Sequence, residues 1–146
     1  MWVLDQEFWQ PGWRATPAAA WRARVADLVN GDRWIIEGNY SGTLDIRLPR
    51  ADCALWFDYP RWIAFPRIAK RIITSYGQVR PDMAPGCPEQ IDRGFLRWVW
   101  DFPAQSRPLI VAALAKHGQH LTPHIFRRDR DWARWLDRLA EHRAEH

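Results

Sequence analysis

The sequence predicts an α/β protein, a parallel sheet with helices on both faces. Short apolar runs without polar alternation, Arg33 to Glu37 (RWIIE) and Ala54 to Asp58 (ALWFD), read as strands covered on both sides. Stretches with apolar residues at helical spacing separate such runs, the strand–helix alternation of a parallel sheet. Three apolar runs also stop at an acid, Asp5, Glu37 and Asp58. In open parallel sheets ligands bind at the carboxyl ends of strands, so these acids are expected on one rim.

The elements follow in order. Trp2-Val3-Leu4 is a short strand ending at Asp5, and Pro11-Gly12 marks a turn. Thr16 then caps a helix with Pro17 in its first position. Trp21, Val25, Leu28 and Val29 form its apolar stripe, and Asn30-Gly31 ends it. After the strands at 33–37 and 54–58 comes a basic amphipathic helix with Ile68, Ala69, Ile72 and Ile73 inward, kinked or delayed by Pro66. Arg80 to Pro88 carries three prolines and a glycine and is a loop. Pro88-Glu89 opens a helix striped by Ile91, Phe95, Trp98 and Phe102 and broken by Pro103. A further helix runs from Ser106 to Gly118. Leu121 to Phe126 is an edge or frayed strand, since Pro123 cannot donate to a ladder. The last helix turns Trp132, Trp135, Leu136 and Leu139 to one side, with a fraying tail from His142 to His146.

The 146 residues suit one domain able to bury roughly two-thirds of its chain surface. A hydrophobic share of 47% and a charged share of 26% are globular values. The 11 tryptophans are expected mainly in the core. Of 21 cations two are lysines, and the arginine bias suits phosphate handling. The net charge of +4 favours polyanionic ligands without separating nucleotide from nucleic acid. Cys53 reads as buried and Cys87 as a loop residue, with no metal spacing or disulfide framework. No basic leader or membrane-length apolar run is present, so a soluble cytoplasmic protein is expected.

Carboxylates gathered on one rim suit Mg²⁺, and one of them could take a proton from an attacking hydroxyl. Asp58, before Pro60, reads equally as a turn residue. The loop from Gly38 to Thr43, with Asn39 and Tyr40, has the composition of a substrate loop or of a plain turn. Arg47 is either a clamp for an acceptor's phosphate or carboxylate, or a surface partner of Asp45 or Asp52. Arg61, Arg67, Arg71 and Arg80 lead into the proline-rich loop, as phosphate-directed lid arginines or as a solvated face.

Taken together, these residues resemble a known group. Asp5 with the run Trp9 to Trp13, Glu37 to Tyr40 through Arg47, Arg50 to Asp52, Trp56 to Arg61, Arg80 to Glu89 and Phe95 to Trp98 are similar to the small P-loop kinases called adenylate-kinase-related or DNA topology modulation proteins. The likeness covers about three-quarters of the chain, from Asp5 to about Gly118. It implies that Asp5 ends the second strand of that fold and acts as base or acceptor ligand. Asp58 would end the Walker B-like strand and help hold Mg²⁺, the loop at 38–47 would face the acceptor, and Arg127, followed by Arg128, would lie near the nucleotide base.

One part of that pattern is missing. No G-x-x-x-x-G-K-[S/T] stretch exists here; Lys70 and Lys116 both follow alanine, and Gly38 and Gly42 are wrongly spaced. The resemblance therefore implies a nucleoside-kinase-like P-loop fold missing its central first strand, in an N-terminally incomplete single domain at residues 1–146. In its implied strand order, 2-3-1-4-5, the strands at 33–37 and 54–58 face an empty slot. The expectation is a truncation or misplaced start, and a chain that alone is unstable, or swaps or oligomerises to fill the gap. The leading functional expectation is an ATP-dependent nucleotide or small-molecule kinase using ATP and Mg²⁺, inactive without the missing segment. A nucleic-acid-binding protein using a basic, Trp-rich surface and a non-catalytic remnant completed by a partner stand beside it.

Overall fold

The computed structural model describes residues 1–144, and helices dominate it. The chain opens with β1 (Trp2–Val3) and a single-turn α1 (Leu4–Phe8), then a hairpin of β2 (Trp9–Gln10) and β3 (Arg14–Ala15). After α2 (Ala18–Leu28) and β4 (Ile36–Glu37), a 3₁₀ turn at Ser41–Thr43 leads into α3 (Leu44–Arg47). Then come β5 (Leu55–Phe57), α4 (Arg61–Ser75), α5 (Arg93–Gln105), α6 (Arg107–His117), β6 (His124–Phe126) and α7 (Asp129–Ala144).

The expected continuous parallel sheet does not form, and neither does a P-loop fold. The strands make three separate two-stranded ladders: β1 with β4 in parallel, β2 with β3 antiparallel, and β5 with β6 in parallel. Each apolar run gives only two or three residues to its ladder. A parallel sheet depends on burial of both faces, and Ile35, Leu55 and Phe57 stay 66%, 41% and 46% exposed. Packing between helices, α5 on α6, α4 on α5 and α3 on α6, carries the body instead.

The core is divided as the strands are. Leu4, Trp21, Val25 and Leu28 form one cluster under β1 and β4, joined by Phe8, Ile36, Tyr40 and Ile46. A second, of Leu44, Leu48, Ile110 and Leu121, lies beneath β5. A third sits in the proline-rich loop, where Met83, Ala84 and Cys87 pack on Trp9 and Trp13. Full burial of each large apolar side chain contributes about 1.5–3 kcal/mol.

Several local expectations change with this packing. The α2 stripe is buried as its spacing requires, but Thr16 does not cap it: its hydroxyl donates to the Phe8 carbonyl at 2.6 Å, tying the hairpin shut. Ile72 is buried in α4 whereas Ile73 is 79% exposed. The helix expected from Pro88 starts at Arg93, capped by Asp92, whose carboxylate accepts from the Gly94 and Phe95 amides. Ile91 is thereby left outside and exposed, and Pro103 lies within α5 instead of ending it. Cys53, expected buried, is exposed, while Cys87 lies in the proline-rich loop as expected and is buried there with its thiol on the Gln10 carbonyl. Of the tryptophans only Trp21 is buried to below a tenth exposure, and Trp62, Trp98 and Trp100 are exposed. β6 starts just after Pro123 and has one neighbour, as the proline requires. The tail is helical through Ala144, and residues 145–146 of the expected fray lie outside the described residues. No helix among the described residues is long and apolar enough to cross a membrane.

Candidate functional site

Two of the three rim carboxylates meet. β1 and β4 run parallel with Val3 opposite Glu37, so Asp5 and Glu37 emerge at the same end of one ladder. The chain turns there through Gly38, whose φ of +132° and close approach to Leu4 leave no room for a side chain: a Cβ would lie 2.8 Å from Leu4 Cβ. Tyr40 follows in the left-handed region at φ +30°, a conformation that costs a non-glycine residue about 1–3 kcal/mol. Its hydroxyl donates to Asp5 Oδ1 at 2.7 Å and its ring packs between Phe8 and Trp21. Burial first, then the Asp5 hydrogen bond and charge, push the Tyr40 phenol far above its ordinary range, so it stays a donor and keeps Asp5 oriented.

Arg47 holds this turn in place. It is 8% exposed, and its guanidinium donates to the carbonyls of Gly38 at 3.0 Å, Asn39 at 2.6 Å and Tyr40 at 3.1 Å. The ion-pair reading of Arg47 gives way: Asp45 pairs with Arg22 at 2.6 Å, and the Arg47 guanidinium is taken up by backbone carbonyls. Burial without a carboxylate partner lowers Arg47 to about 10.

Near Glu37 two arginines, Arg71 on α4 and Arg80 on the loop that follows it, converge on Glu89. Glu89 is 7% exposed, and its Oε2 lies 3.3 Å from Arg80 Nε and 3.2 Å from Arg71 Nε. Arg80 also approaches Asp82 at 3.4 Å. Gln6, next to Asp5, donates to the Pro81 carbonyl at 2.6 Å and joins this loop to α1. A cavity of about 620 Å³ opens beside Arg80, lined by Gln6, Val79, Pro81 and Met83. Partial burial, then the like charges of Asp5 and Asp82, raise the Glu37 carboxyl above its ordinary value, while Arg80 pulls it back. Three acids and an arginine thus lie within electrostatic reach of one another, a pattern of perturbed titration found at functional sites.

That shift has a measurable sign. A carboxyl whose folded pKa is raised contributes stability that is complete below the unfolded value and is lost as pH climbs through the folded one. Glu37→Gln cannot ionise, so its stability relative to the parent should rise between about pH 4 and pH 7. Paired urea titrations at the two pH values read this directly; a flat or falling difference contradicts the crowding.

The remaining expected residues lie elsewhere. Asp58, at the end of β5, accepts from Arg107 Nε at 3.0 Å and faces Arg127 at 3.6 Å. A Mg²⁺ ion needs several oxygen ligands, and this carboxylate is ringed by cations; among the described residues no His, Cys, Asp and Glu group is placed to hold a metal. The residues present do not fit Mg²⁺. Arg61 stacks on Trp100 at 4.8 Å, and Arg67 pairs with Asp129 at 2.6 Å over the Tyr59 ring. Of the four lid arginines, Arg71 and Arg80 alone converge on Glu89. Asn39 contributes a backbone carbonyl, and Arg127 meets Asp58. Glu89 and Arg107 were missed as site residues because a lone acid after Pro88 and a lone arginine before Pro108 carry no spacing pattern.

Family models, curated proteins and solved structures contain no match to this chain.

Proposed function

We propose that the corner between loop 37–40 and loop 80–89 binds a small phosphorylated, hydroxyl-bearing molecule, as the acceptor side of a phosphotransferase of the nucleotide or small-molecule kinase type. The observation that carries the reading is Arg80, one guanidinium shared by Glu89 and Asp82, whose charge offsets part of the rise in the Glu37 carboxyl. With Arg71 it gives two guanidiniums beside one buried carboxylate, planar forked donors of the kind that bind phosphate. Asp5 and Glu37 supply acceptors for hydroxyl groups, and Tyr40 fixes the orientation of Asp5. Phosphoryl transfer asks little covalent work of a protein and much positioning. The cavity beside Arg80, lined by Gln6 and not by Asp5 or Glu37, is in the size range of small-ligand sites. Because these residues contain no G-x-x-x-x-G-K-[S/T] nest, the chain alone is expected not to hydrolyse ATP. A cytoplasmic setting goes with free thiols at Cys53 and Cys87 and with a phosphorylated ligand.

Calorimetric titration with adenosine 5′-monophosphate, ribose 5-phosphate and ribose tests this. The two phosphorylated probes should bind in the micromolar to millimolar range and ribose far more weakly, and Glu37→Gln should weaken binding about tenfold. Silence of both phosphorylated probes up to millimolar concentration rejects the reading. Strongly salt-dependent affinity for single-stranded DNA in their place would favour a nucleic-acid surface.

A further inference from the structure

Strands β4 and β5 face each other across an unfilled cleft. Among the described residues each has one strand neighbour, β1 and β6 respectively. Between them lies a cavity of about 400 Å³ whose walls include Ile36, Glu37, Leu55 and Phe57. Its floor is apolar, from Leu44, Leu48, Ile110, Leu114 and Phe102.

Backbone direction alternates along a strand, so the ladder bonds already made fix which groups face the cleft. Trp2 N–H donates to the Ile35 carbonyl at 2.7 Å, which turns the backbone groups of Ile35 and Glu37 toward β1 and those of Ile36 away from it. His124 N–H donates to the Ala54 carbonyl at 2.9 Å, which turns Ala54 and Trp56 toward β6 and leaves Leu55 and Phe57 facing outward. Two lines of main-chain donors and acceptors therefore look onto one apolar groove.

We propose that this cleft docks one extended strand of another polypeptide, apolar on the side that meets the floor, pairing with β4 along one edge and with β5 along the other. An apolar small molecule would cover the floor but leave the ladder groups unanswered. A second copy of the chain is a poor occupant, because every described strand already has a partner and none has two free edges to give. The occupant is thus a strand these residues do not themselves provide. In such strand addition main-chain hydrogen bonds supply affinity and side-chain pockets supply choice, so a generic strand former is an adequate probe.

The probe is a fluorescein-labelled octapeptide alternating valine and threonine between terminal lysines, titrated into the full chain and followed by anisotropy and amide hydrogen exchange. Saturable binding is expected, with slowed exchange at the amides of Ile36, Leu55 and Phe57. The same peptide N-methylated along one edge should bind about tenfold more weakly or worse, since it loses ladder donors. No binding up to millimolar peptide overturns the proposal. Equal binding of the methylated peptide overturns it in favour of an apolar pocket. Protection of the same amides without peptide, rising with protein concentration as a dimer sediments, overturns it in favour of a second copy. None of these readouts involves a phosphorylated ligand, so they stand apart from the acceptor-site titration.

Discussion

Replacing Arg47 by methionine should lower the unfolding free energy by about 3 kcal/mol, one of the largest single-residue effects in the chain. The side chain donates to three consecutive carbonyls, of Gly38, Asn39 and Tyr40. Methionine fills similar space and donates nothing. Each buried carbonyl left without a partner costs about 1–3 kcal/mol. Against that stands relief from a desolvated, carboxylate-free guanidinium, the same desolvation that lowers Arg47 to about 10. The two contributions oppose each other, and the carbonyls win because Gly38 and Asn39 lose their donor, while Tyr40 keeps Thr43, and the turn they belong to is strained. Without Arg47, Tyr40 has less reason to stay at φ +30°. For a chain of this size the loss corresponds to a melting point about 6–12 °C lower. Arg47→Lys should fall between parent and Met, since an ammonium cannot present a planar fork to successive carbonyls. A methionine variant within about 1 kcal/mol of the parent would mean that the 38–40 turn stands without its arginine.

The same residue shows where sequence reading stops. The helical stripe of α2 was legible because Trp21, Val25 and Leu28 repeat at a period that admits one buried side. Where the runs end was legible too, β4 closing at Glu37 and β5 at Phe57, just before Asp58, but β4 starts at Ile36 and not at Arg33. The extent of the runs was not legible, because ladder length depends on a neighbour on each edge, and β4 and β5 each have one. Arg47 fits a clamp or an ion pair equally well in one dimension. Only the 3₁₀ turn at Ser41–Thr43 and the single turn of α3 bring its guanidinium back onto the preceding carbonyls. Asp58 was read correctly as the polar end of β5, yet its surroundings come from Arg107 and Arg127, 49 and 69 positions further along, by subtraction of the residue numbers. The acidic corner was the more legible part of the site, since Glu37 closes β4, Asp5 lies two residues past the end of β1, and parallel pairing brings both to one end of the ladder.

Glu89→Gln should cost about 3–5 kcal/mol, the expected result of removing one partner from a buried charge cluster. Glu89 is 7% exposed, and Arg80 beside it has a side chain only 13% exposed. Glutamine keeps the shape and one acceptor oxygen but not the charge, so two guanidiniums face a neutral amide. Arg71 suffers less, being a third exposed and stacked over the Phe95 ring at 5.5 Å, though its Nε already approaches Glu89 without good alignment. Arg80 keeps only Asp82, an exposed partner of the kind worth little. The effect extends to the loop, because the Glu89 backbone donates to the Gln78 carbonyl and accepts from the Gly77 amide, both at 2.8 Å. That pairing holds the segment from 77 to 89 as one closed unit, with Arg80 and Asp82 carried on it toward Glu37. Urea unfolding of the variant gives the cost, and hydrogen exchange at Gly77 and Glu89 tells whether the loop opens ahead of the rest. A variant that unfolds at the parent's urea midpoint would mean that solvent already reaches Arg80, and a solvated Arg80 could not serve as the charged wall of a phosphate site. Glu89→Leu separates charge from packing: it removes the same charge without supplying an acceptor, so a loss no greater than that of glutamine assigns the whole effect to charge.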